Sequence, residues 1–317
     1  MIERTVGSFE ELAGPMGPAP RPLTARQMRK VRALARTALA EHGIEAAIHA
    51  DHLSTTDGRT FGLENLASKC HTSGPSEDRW NEVARAHIDA LLTSFPEAPG
   101  AVPAGELRTN TYLRLQVEAA LPVDWDDSYR YVRRLGGGLI ELLAHRDGDT
   151  VRWLRDEDLE PFGADRLREV GRANVLRVEP EEHIVFDNAG VRFHMVRSTS
   201  GFVASKLLVL PALLTEVLGR GGPWPDGVIV AVPSRYEIAL APVEPRILEA
   251  NAGLWSYAAW GFGHRPGPLS PHLYWWRDGA ITQLSYFEPS GRGRLHRNPE
   301  FEAAVDRLTP GGFPRAA

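Results

Sequence analysis

Apolar residues near the start of the chain recur every three or four positions, which is the spacing of an amphipathic helix. The positions that share this spacing are Met28, Val31, Ala35 and Ala38. Thr24, with Gln27 three residues later, is a capping-box pair that predicts where the helix begins, and Gly43 predicts where it ends. A second helix is predicted from about Asp78 to Ser94.

Elsewhere the apolar pattern changes to the alternation typical of β-strands. Between the two helices, the stretch IEAAIHADHLSTTDGRTFGLENL predicts a strand, a turn at Asp57-Gly58 and a second short strand. Three more hairpins are predicted later in the chain, with turns at Asp147-Gly148, within Asp187 to Gly190, and at Asp278-Gly279. Strands joined by such short turns pair with their sequence neighbours, so the pattern predicts a mainly antiparallel sheet.

Helical patterns interrupt these later strands. They run from about Asp158 to Arg172, from Gly201 to Arg220 with a break at Pro211, and from Pro245 to Gly261. Strands outnumber helices and pair locally, which favours the α+β class. The predicted fold is a mainly antiparallel sheet with helices packed on one face, preceded by a smaller N-terminal region of helices and a hairpin.

Glycine and proline divide the chain into predicted segments. The stretch FPEAPGAVPAGE, residues 95–106, has the composition of a linker. It separates a small N-terminal α+β region, 21–94, from the main α+β domain, 107–290. Residues 1–20 are predicted to be an irregular lead-in, and residues 291–317 a basic tail that contains glycine and proline.

Composition narrows the class of protein. The chain has 317 residues, 43% of them hydrophobic and 24% charged, with a formal net charge of −5, as expected of a soluble globular protein. Cys70 is the only cysteine, which excludes an internal disulfide and favours a reducing compartment. The sequence MIERTVGSFEEL lacks the apolar core of a secretory signal, and the longest apolar stretch, Leu207 to Leu218, is too short to span a bilayer. We therefore expect a cytoplasmic protein without a membrane partner.

The segment RSTSGFVASKLL, from Arg197 to Leu208, has the residue types of a phosphate-binding or nucleophilic loop. It lacks the spacing of a Walker phosphate loop, and none of its serines is followed three residues later by lysine. The segment is instead typical of a strand end and a helix start, where Thr199 or Ser200 caps the first amides. An anion site stays open as the alternative, because free amides and the guanidinium of Arg197 both present positive charge.

A second cationic position follows the predicted central strand. The run from Val228 to Val232 is apolar on both faces, as expected of a buried strand, and Pro233 begins a turn that contains Arg235. If Arg197 and Arg235 converge at one end of the sheet, they form a cationic notch. The candidate anion- or ligand-binding residues are Arg197, Ser200, Gly201, Ser205 and Arg235.

The hairpin EHIVFDNAGVRFHMV contains the second candidate site. With Asn188 and Ala189 as its loop, the apolar residues share one face and His183 lies opposite His194 on the other. Directly opposed side chains have Cβ atoms about 5 Å apart, which is close enough to share a proton or a metal ion. A zinc centre needs three or four ligands, so an exposed histidine pair is the favoured interpretation.

Other catalytic and metal-binding patterns fail on spacing. His49 and His52 are predicted on opposite faces of one strand, which prevents them from binding one ion together. Cys70 is predicted to be a packing residue at a helix end, and the chain has neither a Gly-x-Ser-x-Gly elbow nor a His-Glu-x-x-His motif. No cofactor and no metal ion are therefore predicted, and catalysis is disfavoured.

Two basic stretches are candidates for contact with RNA or an acidic partner. The first comprises Arg26, Arg29, Lys30, Arg32 and Arg36. The second comprises Arg292, Arg294, His296 and Arg297. A solvated helix face and a mobile tail are the simpler interpretations. Trp275 and Trp276 are adjacent on a predicted strand and must face opposite sides, so at least one serves the core.

Five sequence segments together resemble the YtpQ-like family, a widespread bacterial group of unknown biochemical role. They cover about Leu107 to Tyr286 in the family's order: DTVRWLRDEDL, RANVLRV, RSTSGFVASKLL, GVIVAVPSRYEIAL and LYWWRDGAITQL. The core of the resemblance lies in Arg197, Gly201, Ser205, Val232, Pro233 and Arg235. Ser200, Val203 and Tyr236 stand where the family usually has acids, which argues against charge-based chemistry there. The resemblance implies a bacterial cytosolic protein and carries over no catalytic residue.

Three functional hypotheses follow. The first is a non-catalytic binding or adaptor protein with a protein partner, because every catalytic template fails and Trp and Arg are common interface residues. The second is an enzyme acting on an anionic small molecule, with Arg197 and Arg235 binding the anion and His183 or His194 moving a proton. The third is RNA binding through the basic N-terminal helix.

Overall fold

The structure is a computed structural model that describes residues 1–8, 11–12, 23, 25–49, 52–55, 60–63, 66–67, 69–70, 77–94, 102–121, 125–148, 150–189, 191–288 and 292–308. The helices are α1 (Ala25–Glu41), α2 (Glu77–Ser94), α3 (Ala104–Asn110), α4 (Asp156–Leu159), α5 (Ala164–Leu176), α6 (Leu210–Leu218), α7 (Ile247–His264) and α8 (Pro299–Leu308). The first eight strands are β1 (Ile2–Val6), β2 (Ala46–Ile48), β3 (His52–Thr55), β4 (Thr60–Gly62), β5 (Thr111–Val117), β6 (Arg133–Gly136), β7 (Leu139–Asp147) and β8 (Thr150–Trp153). The remaining strands are β9 (Glu182–Asn188), β10 (Val191–Arg197), β11 (Val228–Ser234), β12 (Glu237–Pro242), β13 (Leu273–Arg277), β14 (Ala280–Gln283), β15 (Ser285–Phe287) and β16 (Gly293–Leu295).

A seven-stranded sheet organises the larger part of the chain. Its strand order is β1-β9-β10-β12-β11-β13-β14, and every pair is antiparallel except β1 with β9. The α+β class and the mainly antiparallel pairing are therefore confirmed. The predicted hairpin turn at Asp278-Gly279 is also confirmed, since Arg277 pairs with Ala280 and both turn residues have positive φ.

The centre of this sheet is buried on both faces because apolar residues occupy consecutive positions of β11 and β12. On one face, Ile229 and Ala231 pack against α7. On the other face, Val228 and Val230 share a core with α6 and with a 3-10 helix over Val203–Val209. Trp275 belongs to the first core and Trp276 packs on the second, as their adjacent positions predict.

A second sheet contributes side chains to the core that contains Val228 and Val230. It has the order β5-β7-β6, with β8 paired to the outer part of β7. Leu115 of β5 and Leu142 of β7 pack in the same core as Val230. The backbone of β5 also lies against α5, where Gly171 allows close approach: a methyl group there would lie 2.6 Å from the amide nitrogen of Leu113.

The N-terminal region has a core of its own. Strands β2, β3 and β4 form an antiparallel sheet, and α1 packs on α2. Gly43 ends α1 as predicted: its φ is 74°, and the Ile44 amide donates to the Leu39 carbonyl over 3.0 Å. Thr24 of the predicted capping box and the predicted turn at Asp57-Gly58 lie outside the described residues.

Two segments that were expected to be irregular are ordered. Residues 2–6 of the predicted lead-in form β1, because β9 offers a ladder of backbone partners and Val6 reaches the core. Residues 293–295 and 299–308 of the predicted tail form β16 and α8, and Phe301 and Val305 of α8 are buried in the core beside α7. Long-range burial, which local composition does not reveal, explains both errors.

Three helix boundaries also differ from prediction. The helix predicted over 158–172 is two helices, α4 and α5, separated at Gly163, whose φ is 78°. The predicted helix 201–220 begins as the 3-10 helix and continues as α6, in which Pro211 is in the first turn, where its missing N–H costs nothing. Helix α3 starts inside the predicted linker, at Ala104. The division into two domains stays a prediction.

Candidate anion-binding site

The turn after β10 satisfies its own backbone. The Ser198 hydroxyl accepts from the Ser200 amide over 3.1 Å, and the Ser200 hydroxyl accepts from the Phe202 amide over 3.4 Å. The Thr199 hydroxyl donates to the Glu181 carboxylate instead. Serine hydroxyls therefore bind amides here as predicted, although they do so in a turn before a 3-10 helix and not at the start of an α-helix.

Ser205, a predicted ligand-binding residue, has a structural role. Its buried hydroxyl accepts a hydrogen bond from the Leu115 amide over 3.0 Å and so joins the 3-10 helix to β5. The neighbouring Lys206 is also buried and lies 3.0 Å from the Glu216 carboxylate. The apolar positions around them form the core between the two sheets, which leaves Ser205 no access to a ligand.

Arg197, the last residue of β10, is part of a buried ionic cluster. Glu237 lies opposite it on β12 and is only 3% exposed. The Tyr257 hydroxyl of α7 donates to this carboxylate, and Arg197 Nη2 donates to the Tyr257 oxygen over 3.0 Å. Arg265 Nε lies 2.8 Å from the other carboxylate oxygen. We call these four residues the Glu237 cluster.

The Glu237 cluster supplies each charge with an opposite charge. Burial works against the guanidinium of Arg197, but Tyr257 and Glu237 raise its pKa above the ordinary value. Burial, followed by the negative charge of Glu237, raises the pKa of Tyr257, so this phenol stays protonated and donates. Arg197 Nη2 also donates to the Leu12 carbonyl over 3.2 Å. The arginine is therefore engaged within the protein.

Arg235 lies in the turn between β11 and β12. Its amide donates to the Gly267 carbonyl over 2.8 Å, and its guanidinium lies over the Tyr236 ring, 5.8 Å from the centroid. A methyl group on Gly201 would lie 3.2 Å from Cδ of Arg235 and 3.5 Å from Nη1 of Arg114. Two predicted site residues, Gly201 and Arg235, thus meet a third residue that sequence reasoning missed.

That third residue, Arg114 of β5, is 3% exposed. Its Nη1 donates to the Gly201 carbonyl, and its guanidinium lies 5.0 Å from the centroid of the Phe202 ring. Its Nε is buried and has no hydrogen-bond partner among the described residues. The sequence signal was present, since a single arginine interrupts the apolar positions of TYLRLQV, but nothing in the strand itself shows what faces that arginine.

The charges around Arg114 are unfavourable to it. Burial and then the positive charge of Arg235 lower the pKa of Arg114 to about 9, while Tyr236 acts in the opposite direction. We call Arg114 and Arg235 the arginine pair. Arg197, by contrast, is engaged in the Glu237 cluster, and its predicted notch with Arg235 stays a prediction.

The second predicted site, the histidine pair, forms with a different register. His194 lies opposite Val185 and His183 opposite Val196, and Asn188 is itself paired with Val191, so the predicted loop of Asn188 and Ala189 is wrong. The observed register places Phe186 opposite Phe193, and their rings stack with centroids 4.7 Å apart. The histidines are therefore diagonal neighbours, with His183 Nε2 and His194 Nδ1 3.0 Å apart.

The prediction that this histidine pair is exposed is wrong. His183 is 2% exposed and His194 is 7% exposed. Burial lowers the pKa of both rings, and His183 and Arg192 lower that of His194 further, to about 3. Glu3 of β1 lies 3.5 Å from the other nitrogen of His183. Both rings are therefore neutral at pH 7 and share one hydrogen bond.

Two smaller predictions can be compared with the structure. His49 comes directly after β2, and its ring stacks on the ring of His52 with centroids 4.3 Å apart. The prediction that these two side chains lie on opposite faces is therefore wrong. Burial raises the pKa of Cys70 to about 11, and the thiol packs in the N-terminal core as predicted. In the described parts of the chain, no group of three or more His, Cys, Asp or Glu residues is placed to hold a metal ion.

The two basic stretches differ in how far their charges are neutralised. On α1, the side chains of Arg26, Arg29 and Arg36 are exposed. In the C-terminal stretch, Arg294 lies 2.7 Å from Glu288 and Arg297 lies 3.1 Å from Glu302. These two arginines therefore have carboxylate partners, whereas the mobile tail and RNA binding by α1 stay predictions.

Comparison of the chain with family models, with curated proteins and with solved structures gives no match. The resemblance to the YtpQ-like family therefore stays a prediction. None of the helices that the structure describes is long and apolar enough to cross a membrane.

Proposed function

We propose that this protein is a non-catalytic binding protein for an anionic small molecule, which binds at the arginine pair. The observation that carries the proposal is the buried guanidinium of Arg114, whose Nε has no partner in the described residues and whose nearest charged neighbour, Arg235, has the same sign. An anion at this position supplies both the missing hydrogen-bond acceptor and the missing negative charge.

Burial of a charge without a counter-charge is costly. Removing one partner of a buried ion pair costs about 3–5 kcal/mol, since it leaves the other charge uncompensated. Arg114 is in that situation, whereas the half-buried arginines Arg168 and Arg152 have carboxylate partners in Glu141 and Asp158. The unpaired charge of Arg114 therefore favours a binding partner that is not part of the chain.

The position of the arginine pair is compatible with entry from solvent. Arg235 and Tyr236 are half-buried at the end of the sheet, whereas Arg114 is buried. Gly201 lies against both arginine side chains, since a methyl group there would be 3.2 Å from Cδ of Arg235 and 3.5 Å from Nη1 of Arg114. The anionic group of a ligand is thus expected to reach Arg114 while the rest of the ligand stays near the surface.

Binding is favoured over catalysis because the candidate reactive groups are engaged elsewhere. Ser198 and Ser200 accept hydrogen bonds from backbone amides. His183 and His194, the proton carriers of the enzyme hypothesis, are hydrogen-bonded to each other and buried. Adaptor function with a protein partner and RNA binding through α1 stay predictions.

Isothermal titration calorimetry with sodium sulfate tests the proposal at pH 7.5 and constant ionic strength. We expect saturable binding by the native protein and none by Arg114→Met, which keeps the length of the side chain and removes its charge. Arg168→Met is the control, because the side chain of Arg168 is only 12% exposed but is paired with Glu141. Equal heats for native protein and Arg114→Met, with both folded by circular dichroism, contradict the proposal.

A further inference from the structure

We infer that the exposed face of α1 binds the phosphate backbone of double-helical RNA. This inference does not depend on the arginine pair and adds a second, macromolecular ligand to the proposed function. It follows from three properties of α1: the alignment of its exposed arginines, the lack of described charge partners for them, and the kinds of side chain that lie beside them.

The alignment of three exposed arginines is the first property. Arg26, Arg29 and Arg36 are exposed, and at about 100° per residue they fall within about 80° of the helix circumference. The opposite face of α1 carries Val31 and Leu39, which are buried in the core of the N-terminal region. Because this core fixes the rotation of the helix, the three arginines form one row about 15 Å long. We call Arg26, Arg29 and Arg36 the arginine stripe.

The charge balance around the arginine stripe is the second property. Within the described residues, none of its three side chains makes an ion pair or a side-chain hydrogen bond. Glu41, the only acid of α1, lies 2.6 Å from Arg85 of α2 and is therefore neutralised there. Three exposed arginines elsewhere have carboxylate partners: Arg130 with Asp156, Arg220 with Glu244, and Arg307 with Asp226. The stripe thus presents positive charge to solvent on a chain whose net charge is −5.

The side chains beside the stripe are the third property, and they favour one kind of polyanion. The other exposed residues along this face are Ala33, Thr37 and Ala40. A helix that lies in a membrane surface inserts large apolar side chains, and the described face of α1 offers none. Single-stranded nucleic acid binds by stacking its bases on aromatic rings, which this face of α1 also lacks. Both of these partners are therefore disfavoured.

Duplex RNA fits the composition of this face. The major groove of duplex RNA is too deep and narrow for side chains to read the bases, so proteins contact its backbone instead. The stripe supplies guanidiniums for phosphates, and the small residues beside it include no asparagine or glutamine of the kind that reads adenine in a DNA groove. An acidic protein segment offers separate carboxylates, whereas a duplex offers a continuous row of phosphates along the stripe.

Fluorescence polarisation with a labelled RNA duplex of about 16 base pairs tests the inference. Affinity for the native protein should fall about 40-fold between about 50 mM and 200 mM salt, because three neutralised phosphates give a logarithmic slope of about −0.9 each. Two duplexes of unrelated sequence should bind equally. The triple variant Arg26→Gln, Arg29→Gln and Arg36→Gln should bind at least about tenfold more weakly at the lower salt concentration and lose most of the salt dependence.

The matched control is the triple variant Arg130→Gln, Arg220→Gln and Arg307→Gln, which removes the same number of positive charges from exposed but paired positions. It should bind the duplex as the native protein does. Equal losses in the two triple variants, or no binding by the native protein at the lower salt concentration, overturns the inference. Tighter binding to a DNA duplex or to phosphatidylserine vesicles than to RNA overturns it as well. Arg114→Met should keep RNA binding, so failure of the arginine pair to bind sulfate is a separate result.

Discussion

The Glu237 cluster and the arginine pair contain arginines in opposite electrostatic situations. In the Glu237 cluster, Arg197 and Arg265 surround one buried carboxylate, and Tyr257 donates to it. In the arginine pair, Arg114 is equally buried but its charged neighbour is another arginine. The two groups come together at the turn between β11 and β12, where Arg235 lies two residues before Glu237.

The difference teaches that burial of a polar group does not by itself define a binding site. The Glu237 cluster is buried and polar, yet its charges are matched within the protein, so it connects β10, β12 and α7. In the arginine pair, Nε of the buried Arg114 has no hydrogen-bond partner among the described residues, and the positive charge of Arg235 acts against the charge of Arg114. The following predictions test this contrast, beginning with the largest expected effect.

Glu237→Gln should lower the free energy of unfolding by about 3–5 kcal/mol, because it leaves Arg197 and Arg265 without their shared buried counter-charge. Urea denaturation followed by circular dichroism measures the change. Glu182→Gln is the control, since that carboxylate is 44% exposed and 4.0 Å from Arg197, and it should cost less than about 1 kcal/mol. Equal effects for the two variants would contradict the prediction, because the buried Glu237 carboxylate would then contribute no more than the exposed Glu182 carboxylate.

Arg114→Met and Arg168→Met should change stability in opposite directions. Without ligand, Arg114→Met should raise the free energy of unfolding by about 1–2 kcal/mol, since it removes an unpaired buried charge. Arg168→Met should lower it by about 2–3 kcal/mol, because Glu141 is left unpaired in a site where both side chains are 12% exposed. The same urea titrations measure both, and a large destabilisation by Arg114→Met would indicate that its charge is already matched.

The histidine pair is a third buried polar group, and its rings are neutral instead of being paired with an opposite charge. We therefore expect its contribution to stability to depend on pH. The folded pKa of His194 is about 3, below its ordinary value, so the unfolded chain binds more protons than the native protein between those values. The associated stability is present above pH 6.5 and is lost as the pH falls, by about 2 kcal/mol at pH 5.

Thermal unfolding from pH 7 to pH 5 should therefore show a steeper loss for the native protein than for His194→Leu. His49→Leu, which alters an exposed histidine, should keep the native slope. If His194→Leu and the native protein lose stability in parallel, the buried pair is not the source of the acid sensitivity.

Ser205→Ala should have the smallest effect, about 1 kcal/mol of lost stability, because it removes one hydrogen bond to the Leu115 amide. Sulfate binding measured by calorimetry should be unchanged. A loss of sulfate affinity in this variant would return Ser205 to the binding site, in agreement with the sequence-based prediction and against the structural role assigned above.

Parts of the fold were predictable from short stretches of sequence. Gly43 ends α1, and the Asp278-Gly279 turn joins β13 to β14, because positive φ is a local requirement that few residues meet. The central strand β11 was predictable from its uninterrupted apolar run. By contrast, β1 depends on a parallel partner about 180 residues away, which no local pattern shows.

The candidate site was also only partly predictable from the sequence. Gly201 and Arg235 were identified because each follows a predicted strand, Gly201 at a predicted helix start and Arg235 in a predicted turn. Arg197 has the same residue type but belongs to the Glu237 cluster, and Arg114 was missed because its importance comes from Gly201 and Arg235, which are on other elements.

Local sequence was enough to specify the class of fold, the central strands and the turns, since periodicity and backbone conformation are properties of neighbouring residues. Packing alone decided which arginines were neutralised, which serines were structural and which histidines were buried. The physical reason is that the free energy of a buried polar group depends on the partners that surround it in space, and those partners come from distant parts of the chain.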